Sequence, residues 1–458
     1  MQINWQQFGL RNNPYDTLPL IEGGDIAIED AFVGRSQERQ LLKDIFESEN
    51  RVCLTICGDT GVGKTSLANF HKYMWKYRTQ KLLFSFRREI EACDDLLNKK
   101  NFIIEILSSV LREIKLLNSD LLKNELLTRI QSLVDISQAM NISGGVSAGF
   151  SGYSGGIDFG RGKSISQPIQ FSTSALEKYF QNIVEFIKNN KIGGNTYSGL
   201  IIHVNNFDVV LSNKNKSVSV IDFFNEIRDT LQTKDTFFLF LGPRNFFKDI
   251  ITAKQRVKSI FYQTPLTLSP LSKSEVVEAF DERMKLLKSK GVEDFVKPID
   301  DEVVYLLHDL YDGDIRSIMS AIRDILGYYS EKITNPLSVN EAKILLGRER
   351  MAKIEIAGKL TKGQKNILKF LVESGRQMSL SEASKLLKRP VPNISQHYFK
   401  PLREMGIIEK KEKTGRSILW GLTKDYEPLK WFYESQKEVI KVIENATNKE
   451  STLFDSMI

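Results

Sequence analysis

The segment Gly58-Asp59-Thr60-Gly61-Val62-Gly63-Lys64-Thr65 constrains this 458-residue chain more than any other. It fits the spacing G-x-x-x-x-G-K-[ST], and Ser66 follows it. The run "RVCLTIC" directly before it has the pattern of a buried strand, and "KTSLANFHKYMWKYR" from Lys64 starts a helix. Strand, glycine-rich loop and helix in that order make a phosphate cradle. The glycines let backbone N–H groups converge on phosphate oxygens without Cβ clashes. Lys64 reaches the outer phosphates, and the Thr65 hydroxyl ligates Mg²⁺. The positive end of the helix dipole adds to this. The implied ligand is ATP or ADP with Mg²⁺.

Hydrophobic residues make up 41% and charged residues 26%, the balance of an ordinary globular chain. A length of 458 residues gives room for two to four domains. The formal charge of +7 permits a nucleic-acid partner without requiring one. Cys53, Cys57 and Cys93 lack the spacing of a metal knuckle, and the first two sit in the strand pattern, as reduced core residues of an intracellular protein. The first residues show no basic-then-apolar signal, and no apolar run approaches the ~20 residues of a membrane helix. The expectation is a cytoplasmic protein with no membrane partner.

Residues 1–30 read as an extended polar arm. An α/β core over 31–265 follows: a parallel sheet with helices on both faces, built from alternating strand and helix patterns that include "KLLFSF", "GLIIHV" and "TFFLFLG". A glycine-rich insertion at about 141–168 interrupts it. It reads as a surface loop or as a projecting hairpin. Residues 266–350 are helical throughout, the pattern of a lid. Residues 355–425 are compact and mixed, and 426–458 is a C-terminal helix and tail.

Several segments, taken in order, resemble AAA+ and STAND-type ATPases, and within AAA+ the origin-recognition initiator group. "FVGRSQERQLL" looks like the motif that these families place against adenine, which implies contacts from Val33, Gly34 and Arg35. "QRVKSIF" is similar to a segment whose arginine acts on a neighbour's nucleotide. That makes Arg256 a trans-acting finger; the alternative is a solvated surface arginine. "LSPLSKSEVVEAFDERM" resembles the entry to the helical lid. "GDIRSIM" is similar to the sensor 2 motif, so Arg316 would touch the γ-phosphate, or else be a salt-bridged lid residue. Asn245 is the sensor 1 candidate, with Arg244 as its rival. An arginine's permanent charge and forked donors suit either phosphate-facing role. The resemblance covers about 32–330 and a C-terminal winged helix.

At the end of the third strand that family writes aspartate and then glutamate. This chain writes Asn205 and Asn206. An amide carries no charge and takes no proton, so it is a poor general base. Asp208 either turns towards the metal or caps the following turn. The resemblance with this departure implies tight nucleotide binding, slow hydrolysis, and nucleotide used as a switch.

Residues 361–424 run helix, helix, helix, hairpin, the order of a winged helix-turn-helix. Segment 385–416 holds nine Lys/Arg against three Glu, a net +6 in a chain of +7. This favours double-stranded DNA. Asn393, Ser395, Gln396 and His397 would begin the recognition helix, with Lys400 further along it. Lys410, Lys411, Lys413 and Arg416 would put the wing on phosphate. The expected assembly is a homo- or hetero-oligomer. Two alternatives stay open: a STAND-like regulator of a defence or transcription system whose winged helix contacts protein, and a non-catalytic nucleotide-binding scaffold.

Overall fold

A computed structural model describes residues 3–143, 172–328, 335–358, 360–414 and 417–437. The glycine-rich insertion lies outside the described residues from Gly144 onward, as do Arg416 and the tail beyond Lys437. The chain forms two compact units. One is Leu18–Leu271; the other joins Met1–Thr17 to the chain from Ser272 onward.

The first unit is built on a parallel sheet of β1 (Val52–Gly58), β2 (Phe84–Ser85), β3 (Ile90–Glu91), β4 (Leu200–Asn205), β5 (Thr236–Gly242) and β6 (Leu266–Leu268). The order is β2-β4-β5-β1-β6, and β3 also pairs with β4. Every residue of β1 and β5 is buried, as parallel strands covered on both faces require. The two-residue alternation then sorts the core. Leu54, Ile56, Ile201, Leu239 and Leu241 pack with Leu67, Ala68 and Trp75 of the helix Lys64–Tyr77. Ile202, Val204, Phe238 and Phe240 face the other way, onto the helices Lys99–Leu117 and Thr173–Asn189.

The expected strand "KLLFSF" is shorter than its apolar run. Ser85 pairs with Ile201, and the chain bulges through Phe86–Glu89 before Ile90 rejoins β4 opposite Val204. The carbonyls in the bulge need donors. The buried Lys72 Nζ supplies them, donating to Phe86 O (3.1 Å) and Arg87 O (3.3 Å). Burial holds the Lys72 ammonium down to about 8. One turn along, Lys76 is fully buried and pairs with Glu113 (2.7 Å) and Glu22 (3.1 Å). The Arg87 N–H donates to the second Glu113 oxygen at 3.1 Å.

In the second unit, residues 3–17 are a packed strap and not an extended arm. Phe8, Leu10 and Tyr15 are buried. The Arg11 N–H donates to Leu287 O (2.8 Å), and the Tyr15 ring meets Phe280 edge-on at 5.2 Å. Arg283, buried, donates to Pro14 O and Asp16 O. Three scattered apolar residues have no period, so the sequence hid this packing. The lid helices are Lys273–Leu286, Asp301–Leu310, Ile315–Tyr328 and Val339–Ala357. The last overruns the expected edge at 350.

The winged helix contains the helices Lys362–Ser374 and Leu380–Leu387, the helical stretch 391–404, and a sheet of β7 (Met378–Ser379), β9 (Ser417–Leu422) and β8 (Ile408–Thr414). Reciprocal side-chain caps start its first two helices, at Thr361 with Gln364 and at Ser379 with Glu382. Ile367, Leu371, Ile394, Phe399, Leu402 and Trp420 form its core. Lid and winged helix fall within one compact unit. Arg350 donates to Asp425 O (2.6 Å) and pairs with Asp324 (2.7 Å). A Cβ on Gly347 would lie 2.8 Å from the Phe432 nitrogen, so glycine permits the close approach of helix 429–437. No helix among the described residues is long and apolar enough to cross a membrane.

Candidate functional site

The loop Gly58–Gly63 leaves the carboxyl end of β1 and enters the helix at Lys64. Ligands of open α/β sheets bind at this edge. Two glycines are needed for stated reasons. A Cβ on Gly58 would lie 2.9 Å from Val62 Cγ2 and 3.0 Å from Leu268 O. Gly63 sits at φ 91° with nothing within 4 Å of where a Cβ would be. Its strain-free left-handed backbone therefore opens onto empty space at the helix N-terminus. Lys64 Nζ donates to Gly58 O and Asp59 O, both at 2.9 Å, so its charge is folded against the loop's own carbonyls.

Arg35 serves the loop rather than a base. It is buried, adopts φ 59°, and donates to Val62 O (2.8 Å) and Ser269 O (2.6 Å) while pairing with Glu38 (3.0 Å). It ties the loop to the end of β6. All the observed donations go to protein oxygens, so Arg35 acts here as a clamp on the loop. Val33 and Gly34 are half-buried beside it. The preceding Phe32 stacks on Phe70 at 4.6 Å, and Arg39 lies over the Phe70 ring at 4.4 Å.

The end of β4 comes to the loop through Asn205. Its Nδ2 donates to the Thr65 Oγ1 at 3.0 Å. Sequence places these residues far apart; the sheet makes them neighbours. Thr65 and Asn205 offer a hydroxyl and an amide, with no carboxylate. That set suits a Mg²⁺ that arrives on phosphate oxygens and keeps its waters, which is how Mg²⁺ is usually held. No cluster of three or more His, Cys, Asp or Glu side chains that could hold a metal occurs among the described residues.

Asp208 does not join this group. It lies in the first turn of the helix Phe207–Ser212, and its Oδ1 accepts the Val209 N–H at 3.1 Å. This is the contact of the turn-capping alternative. Asn206 caps that helix at φ 66°, a left-handed conformation that asparagine tolerates better than a longer side chain. At the end of β5, Arg244 reaches the loop. Its Nε is 3.9 Å from the Asp59 carboxylate, and both Arg244 and Asn245 are exposed.

Arg256 is exposed on the short helix Gln255–Lys258, and only its carbonyl is engaged, by Arg228 and Ser259. In the lid, the Arg316 guanidinium is exposed and pairs with no carboxylate among the described residues, so the salt-bridged alternative is absent there. Its N–H donates to Asp314 (3.0 Å).

On the winged helix, stretch 391–404 buries Ile394 and Phe399 and exposes Asn393, Ser395, Gln396, His397 and Lys400. Its middle, Ile394–Phe399, is wound as a π-helix. Pro401 brings no N–H, so the His397 carbonyl would lose its usual donor. Gln364 supplies one from the neighbouring helix at 3.3 Å. On the wing, Lys410 and Lys413 are exposed. Lys411 is not placed with them. A bulge between Lys410 and Glu412 turns it back along Gly421, where it pairs with Glu409 at 2.7 Å.

A parallel sheet with an intact phosphate loop gives this chain a P-loop NTPase core, and a helical segment and a winged helix follow it. No protein-family model and no curated protein sequence matches it. Among solved structures it is similar to the Aeropyrum pernix ORC1 protein in complex with DNA, at 15% identity over 95% of this chain and 99% of that one, TM-score 0.46. It is also similar to the Aeropyrum pernix ORC2 protein in ADPNP–ADP complexes, at 14% identity over 96% of this chain and 100% of that one, TM-score 0.45. A third is Cdc6p from Pyrobaculum aerophilum, at 14% identity over 92% of this chain and 99% of that one, TM-score 0.37.

Proposed function

We infer that this chain is a nucleotide-switched DNA-binding protein that takes ATP or ADP with Mg²⁺, hydrolyses ATP slowly, and holds duplex DNA through its winged helix. The observation that carries the switch is the 3.0 Å contact between Asn205 and Thr65. A complete phosphate loop has an uncharged amide where the chemistry calls for carboxylates. Binding is supported by the loop; fast turnover is not, because an amide cannot take the water's proton. Such a site favours a long-lived bound state that biases conformation.

The DNA reading is supported by the exposed face of stretch 391–404. Asn393 and Gln396 offer amides of the kind that pair with adenine edges, and Lys400, Lys410 and Lys413 offer charge for phosphates. Arg256, exposed on its short helix, would act on the nucleotide of a neighbouring copy or partner subunit in an oligomer.

The test is a mobility-shift titration of the full chain on duplex DNA at low and moderate salt, with ATP and Mg²⁺ present. The expected result is binding that weakens steeply with salt. A second preparation ending after Gly358, outside the helix Val339–Ala357, should bind no DNA and keep its nucleotide. No shift at low salt would assign the winged helix to protein contacts.

A further inference from the structure

We propose that the carboxylate missing from the end of β4 is supplied by Glu91 at the end of β3, and that Glu91 is the general base for the slow ATP hydrolysis inferred above. The proposal rests on the phosphate-loop reading and adds a catalytic residue to it.

Glu91 is in register with Asn205 across the β3–β4 pair, and the Ala92 N–H donates to Asn205 O at 2.8 Å. Residues in register on parallel strands lie about 4.8 Å apart and point to the same face. For Asn205 that face is known, because its amide reaches the Thr65 hydroxyl. The same face is read independently four residues back along β4. Ser85 is in register with Ile201, and its Oγ donates to Lys72 O on the helix that begins at Lys64. The neighbours in the opposite phase, Ile90 and Val204, are buried in the core of the other face. Glu91 therefore flanks the Asn205–Thr65 contact on the phosphate-loop side of the sheet. Its longer side chain extends one methylene beyond the amide.

Nothing in the fold accounts for a carboxylate here. Glu91 is exposed and makes no hydrogen bond or ion pair with any described residue. Glutamate is also a poor strand former. The other acids near the site are engaged: Asp208 takes the Val209 N–H, and Asp59 lies 3.9 Å from Arg244. The bulge through Phe86–Glu89, held by the Lys72 ammonium, sets the phase that brings Glu91 and not Glu89 opposite Asn205.

In the step proposed, Glu91 accepts a proton from water as the water oxygen bonds to the γ-phosphorus. The bond from that phosphorus to the bridging oxygen breaks, and its electron pair leaves on ADP. The products are ADP and inorganic phosphate, and the Glu91 proton returns to solvent.

The experiment uses the full chain with Mg²⁺ and ATP, measuring phosphate release and, by calorimetry, ATP affinity. Glu91→Gln should lower phosphate release by about 100-fold or more, as loss of a general base does. ATP affinity should stay within about twofold, and the acid limb of the pH–rate profile should disappear. The proposal is overturned if Glu91→Gln keeps the wild-type rate. It is also overturned if Asp208→Asn abolishes turnover that Glu91→Gln spares, or if the wild-type chain binds ATP and releases no phosphate. Failure of the wild-type chain to bind ATP would break the phosphate-loop reading itself, and the proposal with it.

Discussion

The phosphate loop and the winged helix offer their polar groups in opposite ways. The loop is a backbone site. Its geometry is set by Gly58 against Leu268 O, by the Arg35 clamp on Val62 O, and by a helix whose far end buries Lys76 between Glu113 and Glu22. The winged-helix face is a side-chain site. Asn393, Gln396, His397 and Lys400 stand exposed on a core made by other residues. Specificity for one small ligand comes from a rigid frame that few substitutions spare. Adhesion to a polyanion comes from additive groups that are individually dispensable. Damage to the first site should therefore appear in stability and binding together. Damage to the second should appear in binding alone.

The largest effect expected is at Glu113. Glu113→Ala leaves the Lys76 ammonium in the interior without its closest partner. Breaking a buried pair this way costs about 3–5 kcal/mol, measurable by chemical denaturation of the full chain. A loss near zero would mean that the frame under the loop is not rigid.

Acid sensitivity should be intermediate and should come from the loop's unit. His203, on β4 two residues before Asn205, is fully buried with neither ring nitrogen bonded among the described residues. Burial holds its imidazolium pKa well below the ordinary value, and burial holds His71 down to about 3. Below about pH 6.5 the unfolded chain takes these protons and the folded chain does not, so stability falls as pH falls; for His71 that window reaches down to about pH 3. The slope is about 1.4 kcal/mol per pH unit for each histidine. His203→Leu should flatten it and, at pH 7, cost nothing in hydrogen bonds. An unchanged acid limb of the denaturation profile would contradict this.

The smallest effect on stability is expected on the winged helix. Lys400, Lys410 and Lys413 changed together to Ala should move stability by no more than about 0.5 kcal/mol. The same change should lower the slope of log affinity against log salt by about 3. Lys411→Ala should leave that slope nearly unchanged, because Lys411 is held by Glu409. If Lys411 matters as much as Lys410, the bulge does not retain it in solution.

Much of this was legible in the chain, for identifiable reasons. The phosphate loop declares itself because glycine spacing, strand and helix are contiguous, and the winged helix because its caps, its apolar period and its charge are all local. What depends on sheet register was hidden. No spacing rule pairs Glu91 with Asn205, since parallel strands are joined by long crossovers whose length does not fix phase. The same holds for Asn205 on Thr65. Arg35 looked like a ligand contact because its motif is local, while its acceptors, Val62 O and Ser269 O, come from elsewhere in the fold. Residues 3–17 lack a period, so the burial of Phe8, Leu10 and Tyr15 left no sequence signal. Pro401 inside a helical pattern did carry one, a missing donor, but the partner Gln364 is visible only in three dimensions.

If the loop from Gly58 to Thr65 holds a nucleotide next to an uncharged β4 terminus, binding must depend on Lys64. Calorimetric titration of ATP with Mg²⁺ into the full chain and into Lys64→Ala tests it most directly. Saturable one-to-one binding by the wild-type chain and a steep loss in Lys64→Ala are expected, with both proteins equally folded by circular dichroism. Equal affinity in the two would contradict it.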